Sequence, residues 1–305
     1  YQNLGNASTI GSGDINNNKT ISVLANTLES ITSFVEGVDL TFTADITDEA
    51  GNGPTQGATS INILHVDQRA PTVNGVTATN VNGNYNTGDT IAIQVQFNDI
   101  VTVVTTGGTP QLTLTTNVAA DPDGTTTVGY VSGSPGTTLL FNYVVGSGDN
   151  SSDLDYASTS ALALNGGTIR DAAGNDATLT LATPGATNSL AANKAIVVDG
   201  IVPTVTNVTT TETNGSYGIG DEVTIEVVFS ENVTVVTTGG TPYITINTTG
   251  GGWNVSLDSV ISYPTNTLTF KYTVVESHSS SDLDYASTSA LALNGGTIKD
   301  AADND

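Results

Sequence analysis

The sequence predicts an all-β protein made of tandem antiparallel β-sandwich domains. Three observations point there. Only 12% of the 305 residues are charged, about half the usual quarter. Thr, Ser and Asn therefore carry most of the polar surface, and with Val, Ile and 33 Gly they favour short strands joined by turns. Apolar residues alternate with period two and nowhere sustain a 3.6-residue period. The chain also repeats itself: VTVVTTGGTP occurs at 101–110 and again at 233–242, and SDLDYASTSALALNGGTI at 152–169 and again at 281–298.

In chain order, the first segment is a short or partial domain, residues 1–69. Leu40, Phe42, Ala44 and Ile46 alternate, Asp48–Asn52 turns, and Ile61 and Ile63 open a last strand that runs to Val66-Asp67. The second, residues 70–201, carries alternating Ile91, Ile93, Val95 and Phe97, then Leu139, Phe141, Tyr143 and Val145. The third, residues 202–305, matches them with Val223, Ile225, Val227 and Phe229, then Leu268, Phe270, Tyr272 and Val274. Strict alternation with one apolar face describes half-buried antiparallel strands. Turn signals at Asn82-Gly83, Thr87–Asp89, Gly107-Gly108 and Asn165–Gly167 separate them. The offset between copies falls from 132 at Pro71/Pro203 to 129 at Asp153/Asp282, which predicts a three-residue deletion around Asp121–Gly124. The junctions after Arg69 and Ile201 join strand to strand with no Gly/Ser linker. Asp305 corresponds to Asp176, so Ala177–Ile201 has no counterpart in the third repeat. The expectation is that a continuing chain, or else a neighbouring molecule by strand addition, closes that sandwich.

Charge and composition exclude whole classes of function. Six Lys and Arg against 30 Asp and Glu give a net charge of −24, which repels nucleic acids and anionic membranes. There is no cysteine for disulfides or thiolate metal sites. No apolar run approaches the roughly 18 residues that span a bilayer, so direct membrane insertion is not expected. Tyr1-Gln2-Asn3 lacks signal-peptide features, as expected of a processed chain or an excised piece.

Phe229-Ser230-Glu231, Ser152–Tyr156 with Ser281–Tyr285, Asp171–Asn175, and Val66-Asp67 or Val198-Asp199 before Pro form a pattern. It resembles the immunoglobulin-like repeats of very large bacterial and archaeal surface proteins, including surface proteins linked to cyanobacterial swimming motility and the stalks of large adhesins. The resemblance covers the second and third repeats and the last two strands of the first. It departs at Asn98-Asp99 and at Asp303, where the family has Gly. It implies tandem Ig-like sandwiches, an extracellular cell-surface location, and a structural role as surface layer, filament or adhesin stalk. The implied partners are further repeats, by self-association or within a longer chain, with glycans as a second partner class.

Carboxylates are the only abundant chemical group. With alternating strand directions, the turns after Phe97 and around Asp171 lie at the end that receives the linker. Asp67, Asp99, Asp171 and Asn175 then converge on one junction, and Asp199, Glu231, Asp300 and Asn304 on the next. Two readings stand on the residues alone. The acids and Asn form turns through Asx hydrogen bonds, or they surround a hard cation that takes six to eight oxygen ligands, Ca²⁺ rather than Zn²⁺ or Cu²⁺. The resemblance to calcium-rigidified stalk repeats favours the second. Asp153 and Asp155 read as loop or core-edge residues, and Asp89 and Asp221 as turn formers.

No nucleophile elbow, phosphate loop or His-Glu-x-x-His motif is present, and His65 and His278 read as structural, so an enzyme is not expected. A carbohydrate- or surface-binding adhesive module is the alternative, with Trp253 and Tyr243 as its aromatics, although Trp253 reads as a packing residue. Thr113 and its neighbours read as ordinary solvent-facing strand residues. Eight Asn-x-Ser/Thr sequons, at Asn6, Asn18, Asn150, Asn207, Asn214, Asn232, Asn247 and Asn254, matter only where the source glycosylates.

Overall fold

The computed structural model describes residues 67–117, 124–258 and 262–305, together with four two-residue strands before them. The chain forms two compact units, one of residues 1–71 with 170–177, the other of residues 72–169 with 178–305. In the first unit β1 (Asp39–Leu40) pairs antiparallel with β4 (Leu64–His65), and β2 (Asp45–Ile46) with β3 (Thr55–Gln56).

The second unit contains the third repeat and the second apart from residues 70–71 and 170–177. The second repeat begins with β5 (Val73–Ala78), β6 (Gly83–Tyr85), β7 (Thr90–Val104), β8 (Gln111–Thr115), β9 (Thr125–Ser132) and β10 (Gly136–Val144). Short strands follow: β11 (Asn150–Ser151), β12 (Asp155–Tyr156), β13 (Leu162–Ala163) and β14 (Thr168–Arg170). A four-residue helix α1 (Leu190–Asn193) and β15 (Ile196–Asp199) complete it. The third comprises β16 (Val205–Thr210), β17 (Glu222–Val236), β18 (Tyr243–Thr248), β19 (Gly251–Ser256), β20 (Thr265–Thr273), β21 (Leu291–Ala292) and β22 (Thr297–Lys299).

The alternation in the sequence becomes two-faced strands. Ile91, Ile93, Val95 and Phe97 of β7 and Leu139, Phe141 and Tyr143 of β10 are at most 3% exposed. In the third repeat one core takes Val223, Ile225 and Val227 from β17, Ile244 and Ile246 from β18, and Leu268 and Phe270 from β20. Two sheets, β16-β17-β20 with β22 and β19-β18-β21, thus face each other across it. The sheets are built from antiparallel pairs, but β15 runs parallel to β6, with Ile196 opposite Gly83 and Val198 opposite Tyr85, and antiparallel to β11 on its other side.

The turn Gly107-Gly108 is pressed against Asn165-Gly166. A Cβ on Gly108 would lie 1.8 Å from the Asn165 carbonyl oxygen, and Gly240 meets Asn294 at 1.7 Å in the same way. Only glycine permits that approach, and the same docking is built in both repeats.

The three-residue offset between the repeats hides a larger exchange. Gln111 opposes Gly129, and Tyr243 opposes Ser256, an offset of 132 on one strand but 127 on its partner. The hairpin has therefore lost five residues, and the connection to β20 has regained two. Of the expected deletion site, Asp121–Asp123 lies outside the described residues.

Candidate metal centre

Glu231 sits in the middle of β17, where the pairing with β20 breaks: Val228 opposes Thr267 but Val233 opposes Thr265. The residues between form a bulge. Glu231 has the same strand parity as buried Val227, Phe229 and Val233, so it is aimed toward the interior and is only partly exposed. Asp199 ends β15 and is partly buried, and Asp300 follows β22 and is 6% exposed. One carboxylate oxygen from each of Asp199, Glu231 and Asp300 lies within 4.8 Å of the others.

Asn304 holds this group together from the side. Its amide nitrogen donates to Asp300 Oδ2 at 2.8 Å and to the backbone oxygen of Asp199 at 2.8 Å. The Asn304 and Ala302 backbone N–H groups donate to Asp300 Oδ1 at 2.9 and 2.7 Å. The turn after β22 is thereby tied to the linker entering the third repeat, and a further bond from Asn84 Nδ2 to the Ala301 oxygen at 2.8 Å ties it to the second repeat. Burial raises the Glu231 carboxyl above its ordinary range, and the charges of Asp199 and Asp300 push it further the same way. Three oxygen donors of one sign, packed closely enough to oppose one another's ionisation, fit a hard divalent cation.

The first unit repeats the clamp. Asn175 Nδ2 donates to Asp171 Oδ2 at 2.8 Å and to the Asp67 oxygen at 3.0 Å, and its backbone N–H to Asp171 Oδ1 at 2.8 Å. Burial works against charge on Asp171, but hydrogen bonds from Asn175, Ala173 and Gly174 outweigh it and hold the carboxyl below its ordinary value. The Asp67 carboxylate accepts the Arg69 amide at 2.9 Å. Asp99 belongs to the second unit, where it is exposed and its Oδ1 accepts the Ile100 amide at 2.6 Å. Asp199, Glu231 and Asp300 thus form a carboxylate cluster, whereas Asn175 and Asn304 use their amide nitrogens to position acids.

Other acids have defined structural work. Asp89 and Asp221 close turns by accepting the amides of Asn86 at 3.0 Å and Gly218 at 2.6 Å. Asp155, 8% exposed, accepts the amides of Gly185 at 2.8 Å and Leu190 at 3.2 Å, and so caps the start of α1. Buried Asp149 takes a 2.5 Å hydrogen bond from Tyr143. His278 occupies the same place in the third repeat, 2.9 Å from the Tyr272 hydroxyl, so its counterpart is Asp149. Trp253 is 46% exposed and meets the His278 ring edge-on at 4.6 Å, a surface position rather than a packed one. Thr113 and Thr127 hydrogen-bond across β8 and β9 at 3.1 Å. The six sequon asparagines from Asn150 to Asn254 are all exposed, and Asn6 and Asn18 lie outside the described residues, as does the His65 side chain. Among the described residues no helix is long and apolar enough to cross a membrane.

No family model and no curated protein matches the sequence. Among solved structures, the Escherichia coli adhesin FdeC is similar at 10% identity with a TM-score of 0.31. That match covers 66% of this chain, which spans 55% of the adhesin's chain.

Proposed function

We propose that this chain is a structural segment of a cell-surface protein, fastened at each linker by the same clamp, with the acidic cluster between the second and third repeats completed by calcium. The observation that carries this reading is that the junction is built twice in the same way. At each, an Asn in the turn, Asn175 or Asn304, grips the backbone oxygen of the linker Asp, Asp67 or Asp199, and also holds a buried Asp. A spacer needs such a repeated fastening, whereas an enzyme or a dedicated receptor needs a unique constellation in one repeat.

Asp199, Glu231 and Asp300 would hold the cation. Bound there, Ca²⁺ supplies positive charge that relieves the mutual repulsion of the three acids and ties linker, bulge and turn to one point. The test is a melting and scattering series in chelator, in Ca²⁺, and in Na⁺ at matched ionic strength. A rise in melting temperature and a narrower interdomain distribution in Ca²⁺ alone is the expected result. Equal behaviour in all three would remove calcium from the proposal.

A second reading, an adhesive surface, is favoured only by half-exposed Trp253 beside His278. A glycan array in which Trp253→Ala loses a specific signal would support it.

A further inference from the structure

The third repeat carries a groove of about 650 Å³ along its core, lined among others by Glu212, Asn214, Tyr217, Leu283, Asp284 and Tyr285. Comparison with the second repeat shows what such a groove accommodates. There the equivalent space is filled by the chain's own closing segment: Leu190 of α1 and Ile196 and Val198 of β15 are at most 1% exposed. Their neighbours in the second repeat, Leu154 and Tyr156, are 0% and 1% exposed, while the counterparts Leu283 and Tyr285 are 37% and 40% exposed.

The polar fittings recur as well as the apolar ones. In the second repeat Asn82 Oδ1 accepts the Ala195 amide at 3.2 Å, and the Gly83 amide donates to the Ala195 oxygen at 3.1 Å. The third repeat has Asn214 and Gly215 at those positions. Asp155 accepts the Leu190 amide, and its counterpart Asp284 is exposed, making only a local 2.8 Å bond from the Tyr285 amide. Lys194 donates to the Asn80 carbonyl at 2.7 Å. The counterpart of Asn80 is Glu212, so the groove is better matched in charge to a lysine than its template is.

We infer that this groove is a strand-addition site for a polypeptide segment of the Asn188–Asp199 type: a capped turn bearing Leu, then Lys, then an Ile-x-Val strand. The added strand lies parallel to residues 215–217 and antiparallel to residues 279–280, as β15 does between β6 and β11. One detail distinguishes its occupant from the template. Gly75 of the second repeat comes so close to Asn188 that an added Cβ would lie 3.2 Å from the Asn188 Cβ and oxygen, and the third repeat has Asn207 there. Asn188 itself has φ of 73°. Glycine at that position of the incoming segment suits the left-handed backbone and removes the Cβ contact, leaving only the backbone oxygen to shift. None of the groove residues named belongs to the acidic cluster, so the inference does not rest on calcium.

The test uses the full chain and a synthetic peptide of residues 186–201, with binding followed by calorimetry and amide hydrogen exchange in chelator. Expected are one-to-one binding, protection confined to residues 213–217 and 278–285, and a higher melting temperature. The peptide carrying Leu190→Asp and Ile196→Asp should bind about 100-fold more weakly. Asn188→Gly in the peptide should strengthen binding, and Lys194→Glu should weaken it in a manner rescued by Glu212→Lys in the protein. Absence of binding, equal binding of a scrambled peptide, or protection elsewhere would overturn the inference. So would self-association of the chain through this face without peptide, which would assign the groove to a second copy.

Discussion

Glu231→Gln separates the cost of the acidic cluster from its use. The ligand oxygens of Asp199, Glu231 and Asp300 lie within 4.8 Å of one another. Two unit charges at that distance repel by roughly 0.9 kcal/mol in water and by more at a lower effective dielectric. Glu231 is partly exposed, so the water value applies, and its two neighbours together cost about 2 kcal/mol. Gln keeps the shape and removes the charge. In chelator the third repeat of the variant should therefore melt higher, by about 8 °C or more at 4–8 °C per kcal/mol for a domain of this size.

The pH dependence has the same origin. A carboxyl raised first by burial and then by two neighbouring acids favours the fold while protonated. That stability is fully present below the unfolded Glu pKa of about 4.3 and is lost as pH rises through the folded value. The metal-free wild type should gain stability through this window on acidification, and the variant should lack that component. In Ca²⁺ the order should reverse. A cation held only by the folded state adds about 2.7 kcal/mol at 100-fold over its Kd, and the variant should lose most of that gain. Scanning calorimetry in the two buffers reads both effects. A variant that melts below wild type in chelator, or gains as much from Ca²⁺, would refute the reasoning.

Removing the clamp with Asn304→Ala leaves the Asp199 oxygen and Asp300 Oδ2 without their shared donor, at about 2 kcal/mol; denaturant unfolding should show the loss in the third repeat while the second is unchanged. Asp303 has φ of 70° where the second repeat has Gly174 at 93°, so Asp303→Gly should stabilise by about 1 kcal/mol in the same assay. Tyr156 is 1% exposed and donates to the Ala182 oxygen at 2.7 Å. Burial, then Asp155, pushes its hydroxyl up to about 12. The stability it contributes is complete below the ordinary tyrosine pKa of about 10 and is lost as pH rises through the folded value, so Tyr156→Phe should flatten alkaline unfolding followed by circular dichroism.

The strands and the acids were legible in the sequence because each leaves a local mark. Period two displays Ile91–Phe97 and Val223–Phe229 directly, and the same parity carried two residues further already aims Glu231 inward. What was not legible depends on partners distant in the chain. That Asp155 caps a helix 35 residues away requires the fold, and the four residues of α1 are too few to show a period. The five-for-two exchange in the β8–β9 region hides inside a net offset of three, visible only once strand partners are known. The asparagines share the recurrence of the acids, and recurrence alone does not tell a ligand from a clamp; the direction of the Asn304 amide does.

The fitted glycine turns have a consequence for how the chain finds its own fold. Gly107-Gly108 docks on Asn165-Gly166, and Gly239-Gly240 on Asn294-Gly295. Each turn belongs to a ten-residue stretch identical in both repeats, and each docking partner to an identical eighteen-residue stretch. A Gly107-Gly108 turn therefore meets the same chemistry whether it closes on its own repeat or on the next, and these segments carry no address. The choice falls to loop-closure entropy, which favours the nearer partner only weakly, and to the places where the copies differ, above all the unequal β8–β9 and β18–β19 hairpins. An unfolded chain made of interchangeable parts is prone to swapped pairings, and only segments in which the copies differ, such as these hairpins, can set one repeat apart from the other.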